Sequence, residues 1–362
     1  MPLLIDALLR HARVYESVLR QTDSLFIQGG ESVLPALKTF DFDWQNIQLG
    51  QTNAKKFVHR NRQWLQLSCD YPHAGVNILH LRINPMERIH WLESGLVAAK
   101  ELGDIKMEGT HLGSLGIAYL DIGNSKRAIG FGKQQLKCAR KKATRLDEAL
   151  ALGNIASAYY QLNDFHKAIN YYQKALSIFR SLDDYSGEGL TLQGLGISYF
   201  RLGDKEQAMN FLEQHQQIAL EHGDRQGEAA ALQNIGIIYR SLGETNKAAE
   251  LINKRLTIAR EIGDRRGEGN ALHGIGRIHA DLEEFEEAID YYLRAISLYE
   301  SNGFQVMQAI CLWNLSLVYD RNGNREQAIT TAESAHNLRL ALGDIQGAEK
   351  VRSKLVTWKT NG

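Results

Sequence analysis

GDRRGEGNALHGIG, residues 263–276, sets five glycines, an aspartate, two arginines and a histidine in one short run. Glycines let backbone N–H groups come close to an anion, so the run first invites a phosphate-binding loop. Such a loop needs a preceding strand and a GxxxxGK[ST] or GxGxxG signature opening a helix, and neither stands here. The run is also copied: GDRQGEAAALQNIG lies at 223–236, GDIKMEGTHLGSLG at 103–116 and, more loosely, DDYSGEGLTLQGLG at 183–196. A spacer that recurs in this way is a poor candidate for a single active site.

The copies share one 40-residue frame, and the frame extends well beyond them. Leu112, Leu152, Leu192, Leu232, Leu272 and Leu312 form one column; Ala128, Ala168, Ala208, Ala248, Ala288 and Ala328 form another. A third holds Tyr119, Tyr159, Tyr199, Tyr239, His279 and Tyr319. Within one unit Leu232, Ile235, Gly236 and Tyr239 fall at i, i+3, i+4 and i+7, one stripe of an amphipathic helix. "SLGET" interrupts the pattern, and Ala248, Leu251, Leu256 and Ala259 mark a second helix. Each unit is therefore expected to be a hairpin, with helix A near 227–241 and helix B near 245–261 in this copy. Gly236 and Ala248 sit where the two backbones must approach closely. One hairpin cannot bury its apolar stripe, so neighbouring hairpins must stack. Gly263 then fits the left-handed position that ends helix B, Asp264 caps the next helix A, and Glu268 puts negative charge in its first turn. Gly274 and Gly276 fall inside helix A, where small size permits close packing.

Leu192, Leu195-Gly196, Tyr199, Leu202-Gly203, Ala208 and Phe211 follow the signature of the tetratricopeptide repeat, and the chain resembles that family over 104–343. The resemblance implies an all-α, right-handed α-α superhelix, the tetratricopeptide solenoid, with a helical N-terminal cap. The unit departs from the family's usual length of about 34 residues, and the proline common near its end is missing. Forty-residue units with a Gly-Asp junction look more like the Pins/LGN type, which binds peptide segments of partner proteins. The implied organisation is a helical cap or connector over 1–85, helix B of a degenerate repeat over 86–103, six units over 104–343, and a capping helix with a tail over 344–362.

Composition agrees with such a scaffold. Hydrophobic residues make up 44% and charged residues 23% of the chain, and 42 basic residues balance 42 acidic ones. That balance gives no global pull toward nucleic acid or an anionic membrane. The four prolines (Pro2, Pro35, Pro72 and Pro85) leave 86–362 free for continuous helix. Cys69, Cys138 and Cys311 are scattered, with no CxxC pair, which fits a reducing compartment and neither a disulfide frame nor a zinc site. Asp6 and Arg10 break the apolar start, so no signal peptide is expected, and no apolar run is long enough to span a bilayer. A cytoplasmic protein is expected.

Before the frame begins, Leu4, Leu8, Tyr15, Val18 and Leu25 predict one long helix ending at Gly29-Gly30. A shorter helix is expected over 31–39, and a third over FDFDWQNIQLGQTNAKKF, anchored by Trp44 and Ile47. Residues 86–102 align with a helix B through Trp91, Leu96 and Ala99, and a degenerate helix A carrying Pro72 is expected around 64–82. "LLRHARVYESVL…GG…LKTFDFDWQNIQLGQ" is also similar to the segment joining the nucleotide switch to the repeats in bacterial NB-ARC (STAND) regulators. No P-loop accompanies it, so the resemblance implies a sensor arm detached from its ATPase or a stand-alone relative.

Catalytic patterns are not found. The twelve histidines form no HExxH or HxH, His279 occupies the tyrosine column, and Asp183-Asp184 and Glu283-Glu284 fall at turns. No enzyme, cofactor or metal site is expected. Lys137, Arg140, Lys141, Lys142 and Arg145 could meet phosphates, but they lie where a helix dipole favours cations, with Thr144 and Asp147 offering a cap. Nucleic-acid binding is therefore the weaker reading.

In tetratricopeptide arrays helix A lines a concave groove, and the resemblance directs attention to its polar positions. Asn154, Asn234 and Asn314 recur in alternate units, and Asn can both donate to and accept from a peptide backbone. The neighbouring position gives Gln193, Gln233, His273 and Trp313; further along come Arg201, Arg240, Arg277 and Arg321, with Tyr160 and Phe200 adding apolar contact. Successive arginines point to an acidic ligand or a free C-terminal carboxylate, which guanidinium pairs bidentately. The expected function is a non-catalytic scaffold that binds a peptide or helix of a partner protein, away from any membrane. The alternative is the sensor arm of a STAND-type ATPase system.

Overall fold

From residue 103 to residue 343 the backbone takes a positive φ at every twentieth described position, and each of these ends a helix. The structure, a computed structural model, describes residues 2–28, 32–142 and 144–360; position 143 of this beat falls outside them, as does the expected Gly29-Gly30 helix end. Gly263, at φ 69°, shows how the turn works. Its N–H bonds back to the carbonyl of Arg260 at 3.3 Å, and the Asp264 N–H reaches the Ala259 carbonyl at 2.8 Å. This pair satisfies carbonyls that the helix end would otherwise leave open. The Asp264 carboxylate then accepts from the Gly267 N–H at 2.8 Å and starts the next helix. Asp104, Asp164, Asp184 and Asp224 cap their helices with the same chemistry.

Among the described residues the chain forms eighteen α-helices and no strand. They divide into two compact units, one ending at Asp204 and one beginning at Lys205. The first holds α1 (Pro2–Gln28), α2 (Val33–Lys56), α3 (Arg62–Ala74), α4 (Val76–Arg82), α5 (Pro85–Leu102), α6 (Ile105–Asp121), α7 (Ser125–Lys142), α8 (Arg145–Gln161), α9 (Phe165–Ser181) and α10 (Tyr185–Leu202). The second holds α11 (Lys205–Glu221), α12 (Arg225–Ser241), α13 (Thr245–Glu261), α14 (Arg265–Asp281), α15 (Phe285–Ser301), α16 (Gln305–Arg321), α17 (Arg325–Ala341) and α18 (Ile345–Thr360). From α6 onward a helix within each unit packs most extensively on its immediate neighbours in sequence, whereas α3 packs chiefly on α5 and α4 on α1.

The repeated columns are the packing code. All six alanines of the column from Ala128 to Ala328 are buried. In the second unit, a Cβ added at Gly276 would stand 3.3 Å from the Ala288 carbonyl, so glycine on helix A lets alanine on helix B come close. The tyrosine column is a stacking position. Tyr119 lies on Phe131 with ring centroids 5.3 Å apart, Tyr159 on Tyr171 at 5.5 Å, and His279 on Tyr291 at 5.3 Å. His279 thus takes the packing role its column implies, with Nδ1 bonded to Glu284 at 2.6 Å.

Glu268 does more than meet a helix dipole. It accepts from Arg260 at 2.8 Å and Arg265 at 2.9 Å, one arginine from each side of the turn. Glu148 does the same with Arg140 and Arg145. That pairing occupies two cations of the basic Lys137–Arg145 cluster. It also corrects the cap expected there, because Thr144 makes no side-chain cap bond.

The N-terminal helices differ from expectation in two places. The helices predicted over 31–39 and from 40 onward are one continuous helix, α2, since Ala36, Phe40 and Ile47 form an unbroken buried stripe across the supposed break. The single degenerate helix expected around 64–82 is two, α3 and α4, parted at Gly75 just beyond Pro72. The buried Asp23 carboxylate of α1 accepts from the backbone N–H groups of Asn77 (2.9 Å) and Ile78 (2.8 Å), giving α4 a start from another helix.

Candidate functional site

The A helices carry the residues singled out from the sequence, and the structure brings them together in two groups. In the first unit, α8 and α10 flank a cleft of about 510 Å³ that includes Asn154, Tyr160 and Gln193. Its lower wall comes from Tyr172 and Phe179 of α9. Asn154 donates to Gln135 Oε1 at 3.1 Å, which leaves its own carbonyl oxygen open. Gln193 has no hydrogen-bond partner among the described residues. Arg201 lies outside the cleft: it donates to Asn163 at 3.2 Å and to the Tyr160 hydroxyl at 3.5 Å. Phe200 is half-buried and does not line the cleft.

In the second unit, Arg240, Arg277, Asn314 and Arg321 surround a cleft of about 150 Å³. Arg240 pairs with Asp281 at 2.9 Å. Arg321 donates to the Ala280 carbonyl at 2.9 Å and reaches Glu283 at 3.4 Å. Arg277 has neither a hydrogen bond nor an ion pair among the described residues, and burial together with the Arg240 charge lowers its affinity for its proton. Gln233 shares a smaller recess of about 50 Å³ with Arg240 and Arg277, and its buried Oε1 lacks a donor.

His273 is turned to a neighbour rather than left open. Its Nε2 accepts from the Asn314 carboxamide at 2.7 Å, which requires the neutral ring. Burial first, then the charges of Arg277 and Arg240, push its pKa down to about 4. Asn234 bonds to the Ala230 carbonyl of its own helix. Trp313 is half-buried and packs on one side: its ring lies 6.2 Å from Trp358, because α18 adds a further helix against it.

Sequence reasoning missed Ser157, Tyr172, Leu150 and Leu190, which shape the larger cleft. The available signal was a cluster of glycines at 153, 187 and 194, where side-chain volume is withheld. It also missed Cys69 and His111, whose Sγ and Nε2 lie 3.7 Å apart. This is no activated thiol. Burial, then the charges of Asp70 and Asp104, pushes Cys69 up to about 12, and burial holds His111 at about 4, the reverse of what a thiolate–imidazolium pair needs. Among the described residues no group of three or more His, Cys, Asp or Glu could hold a metal ion, and no helix is long and apolar enough to cross a membrane.

A stack of antiparallel helix pairs with capped twenty-residue steps and small residues at each crossing defines an α-solenoid repeat protein. The sequence matches the tetratricopeptide repeat over residues 147–221, 227–301 and 267–341, more than half of the chain. The chain belongs to the tetratricopeptide repeat family. No curated protein sequence matches it. Among solved structures, it is similar to a Rap protein complexed with competence and sporulation factor: 14% identity and a TM-score of 0.60, covering 99% of this chain and 98% of that one. It is also similar to a STAND protein with a tetratricopeptide repeat sensor from Pyrococcus horikoshii: 17% identity, TM-score 0.58, covering 95% of this chain. This chain spans 55% of that protein's length. Aspartyl phosphate phosphatase F from Bacillus subtilis shares the fold at 14% identity and a TM-score of 0.55, covering 95% of this chain and 94% of that one.

Proposed function

We propose that the chain is a non-catalytic scaffold whose helix-A face forms a groove for a peptide or helical segment of a partner protein. One observation carries this reading: Arg277 is an unpaired cation in a small cleft ringed by two further arginines. An unpaired guanidinium that is partly withdrawn from water, offset only by the charge of Asp281 that Arg240 already pairs, gains from an anionic group small enough to enter. A side-chain or C-terminal carboxylate of the partner is such a group. Within each unit the A helices add carboxamides for a peptide backbone, Asn154 in the first and Asn234 and Asn314 in the second. A Rap protein of this fold is described as complexed with competence and sporulation factor, which supports the use of the fold for binding. The phosphatase of the same fold makes catalysis a matter of residues, and the thiol–imidazole pair here is poised against it.

The test is capture of partners by the full chain from the native cell, repeated with Arg277→Gln and with Asn154, Asn234 and Asn314 changed together to Ala. Loss of the captured partners is expected. Undiminished capture by both variants overturns the groove reading, and ATP hydrolysis by the isolated chain overturns the non-catalytic one. The likeness to the STAND protein favours a second reading, a sensor arm of an ATPase system, with the ATPase absent from this chain. A P-loop in the captured partner distinguishes it from a general scaffold.

A further inference from the structure

We propose that the cleft between α8 and α10 is an anchor site for one large, uncharged apolar side chain of the leucine, phenylalanine or tryptophan class, carried by the partner's segment. The proposal rests on the groove reading above and names what this part of the groove selects.

At about 510 Å³ the open cleft falls within the range of small-ligand clefts, so a large side chain enters it without steric conflict. None of the residues that line it carries a charge, in contrast to the arginine-ringed cleft of the other unit. A Lys or Asp side chain entering here would shed water without meeting an opposite charge, so the lining excludes both. The lower wall is aromatic by construction. A Cβ at Gly194 would stand 2.5 Å from Tyr172 Cζ, and one at Gly187 would overlap the ring of Phe179. Those two glycines let the rings occupy the space beneath α10. The Tyr172 hydroxyl is already bonded to Ser157 at 3.0 Å, so its polar atom is satisfied.

The rim is apolar as well, with Leu190 65% exposed and Leu150 44% exposed. Exposed leucines beside an apolar cleft gain from being covered. Gln193 keeps both a donor and an acceptor, and Asn154 an acceptor, for the backbone on either side of the anchor.

Gly153 supplies the test, because a side chain built there meets nothing within 4 Å and projects into open space. The full chain, labelled at Leu and Ile methyls, is titrated with N-acetyl-phenylalanine amide, N-acetyl-lysine amide and N-acetyl-aspartate amide. The phenylalanine probe is expected to shift the methyls of Leu150, Leu190 and Ile197 saturably, about tenfold tighter than either charged probe. Gly153→Trp, and Gly153→Leu as a smaller filling, should keep the helical circular dichroism and abolish those shifts. Absence of shifts at these methyls, equal binding of the charged probes, or undiminished shifts in both folded variants overturns the proposal. The two readings fail separately. If Gly153→Trp retains the partner that Arg277→Gln loses, the anchor is wrong and the groove stands; if every groove variant retains it, the groove itself is wrong.

Discussion

At the residue scale, three of the described positions hold the turn without a glycine: Asn163, Asp183 and Glu283 all take positive φ. Asn163 and Glu283 use their side chains there, accepting from Arg201 and Arg321. Asp183 accepts from no such partner among the described residues, so it bears the left-handed conformation without a compensating bond there. Asp183→Gly should therefore stabilise the fold, by about 0.5–1 kcal/mol in urea unfolding, even after the glycine's greater freedom in the unfolded chain is counted. A second prediction concerns His111. Burial, only partly opposed by its bond to the Cys69 carbonyl, lowers its pKa from 6.5 to about 4. Below pH 6.5 the unfolded chain takes up a proton that the folded chain refuses until pH 4. Its neutral form is accommodated at full stability above pH 6.5, and stability falls as pH drops through that window, by up to about 3 kcal/mol. Denaturation midpoints at pH 7 and pH 5 should show the loss, and His111→Gln, which cannot protonate, should make it smaller, leaving the share of His273, which burial also holds at about 4.

At the scale of the element, what repeats was legible and what does not repeat was not. The 40-residue columns fixed helix pairs, the glycine turns and the aspartate caps, because each is a local rule restated many times. The continuous α2 and the parted α3 and α4 escaped, since both depend on tertiary partners: a buried stripe, and Asp23 reaching from α1. The site was legible by position only. Periodicity marked Asn154, Arg277 and His273 as helix-A residues, but not that His273 would spend its acceptor on Asn314 or that Arg277 would be left alone. Glycines mattered through what lies opposite them, as Gly269 shows: a Cβ there would stand 2.5 Å from Tyr299 Cε1. Tyr299 is fully buried and its hydroxyl is held by Asn270 at 2.8 Å, so the ring cannot easily yield. Gly269→Ala should cost about 1–3 kcal/mol despite alanine's better helix propensity, and a thermal melt of the variant decides between the two effects.

At the scale of the molecule, stability is a chain of neighbour contacts, so damage should stay local. Trp358 of α18 is 1% exposed and donates to Asp320 at 3.0 Å, closing the apolar surface of Ala328 and Ala332. Trp358→Ala should cost about 3–5 kcal/mol of local stability. Hydrogen exchange should show lost protection in α16, α17 and α18, with amides of α6 and α8 unchanged; loss spread evenly over all helices would contradict the neighbour picture.

The twenty-residue beat of left-handed turns also gives the chain a parity. Each beat reverses its direction, so removing one block of twenty would deliver every later helix back to front, with alanines where tyrosines belong. Removing two restores the sense of travel and merely shortens the protein. Length in this molecule can change by duplication or excision only in even steps, and each permitted step adds or subtracts one A helix together with its B partner.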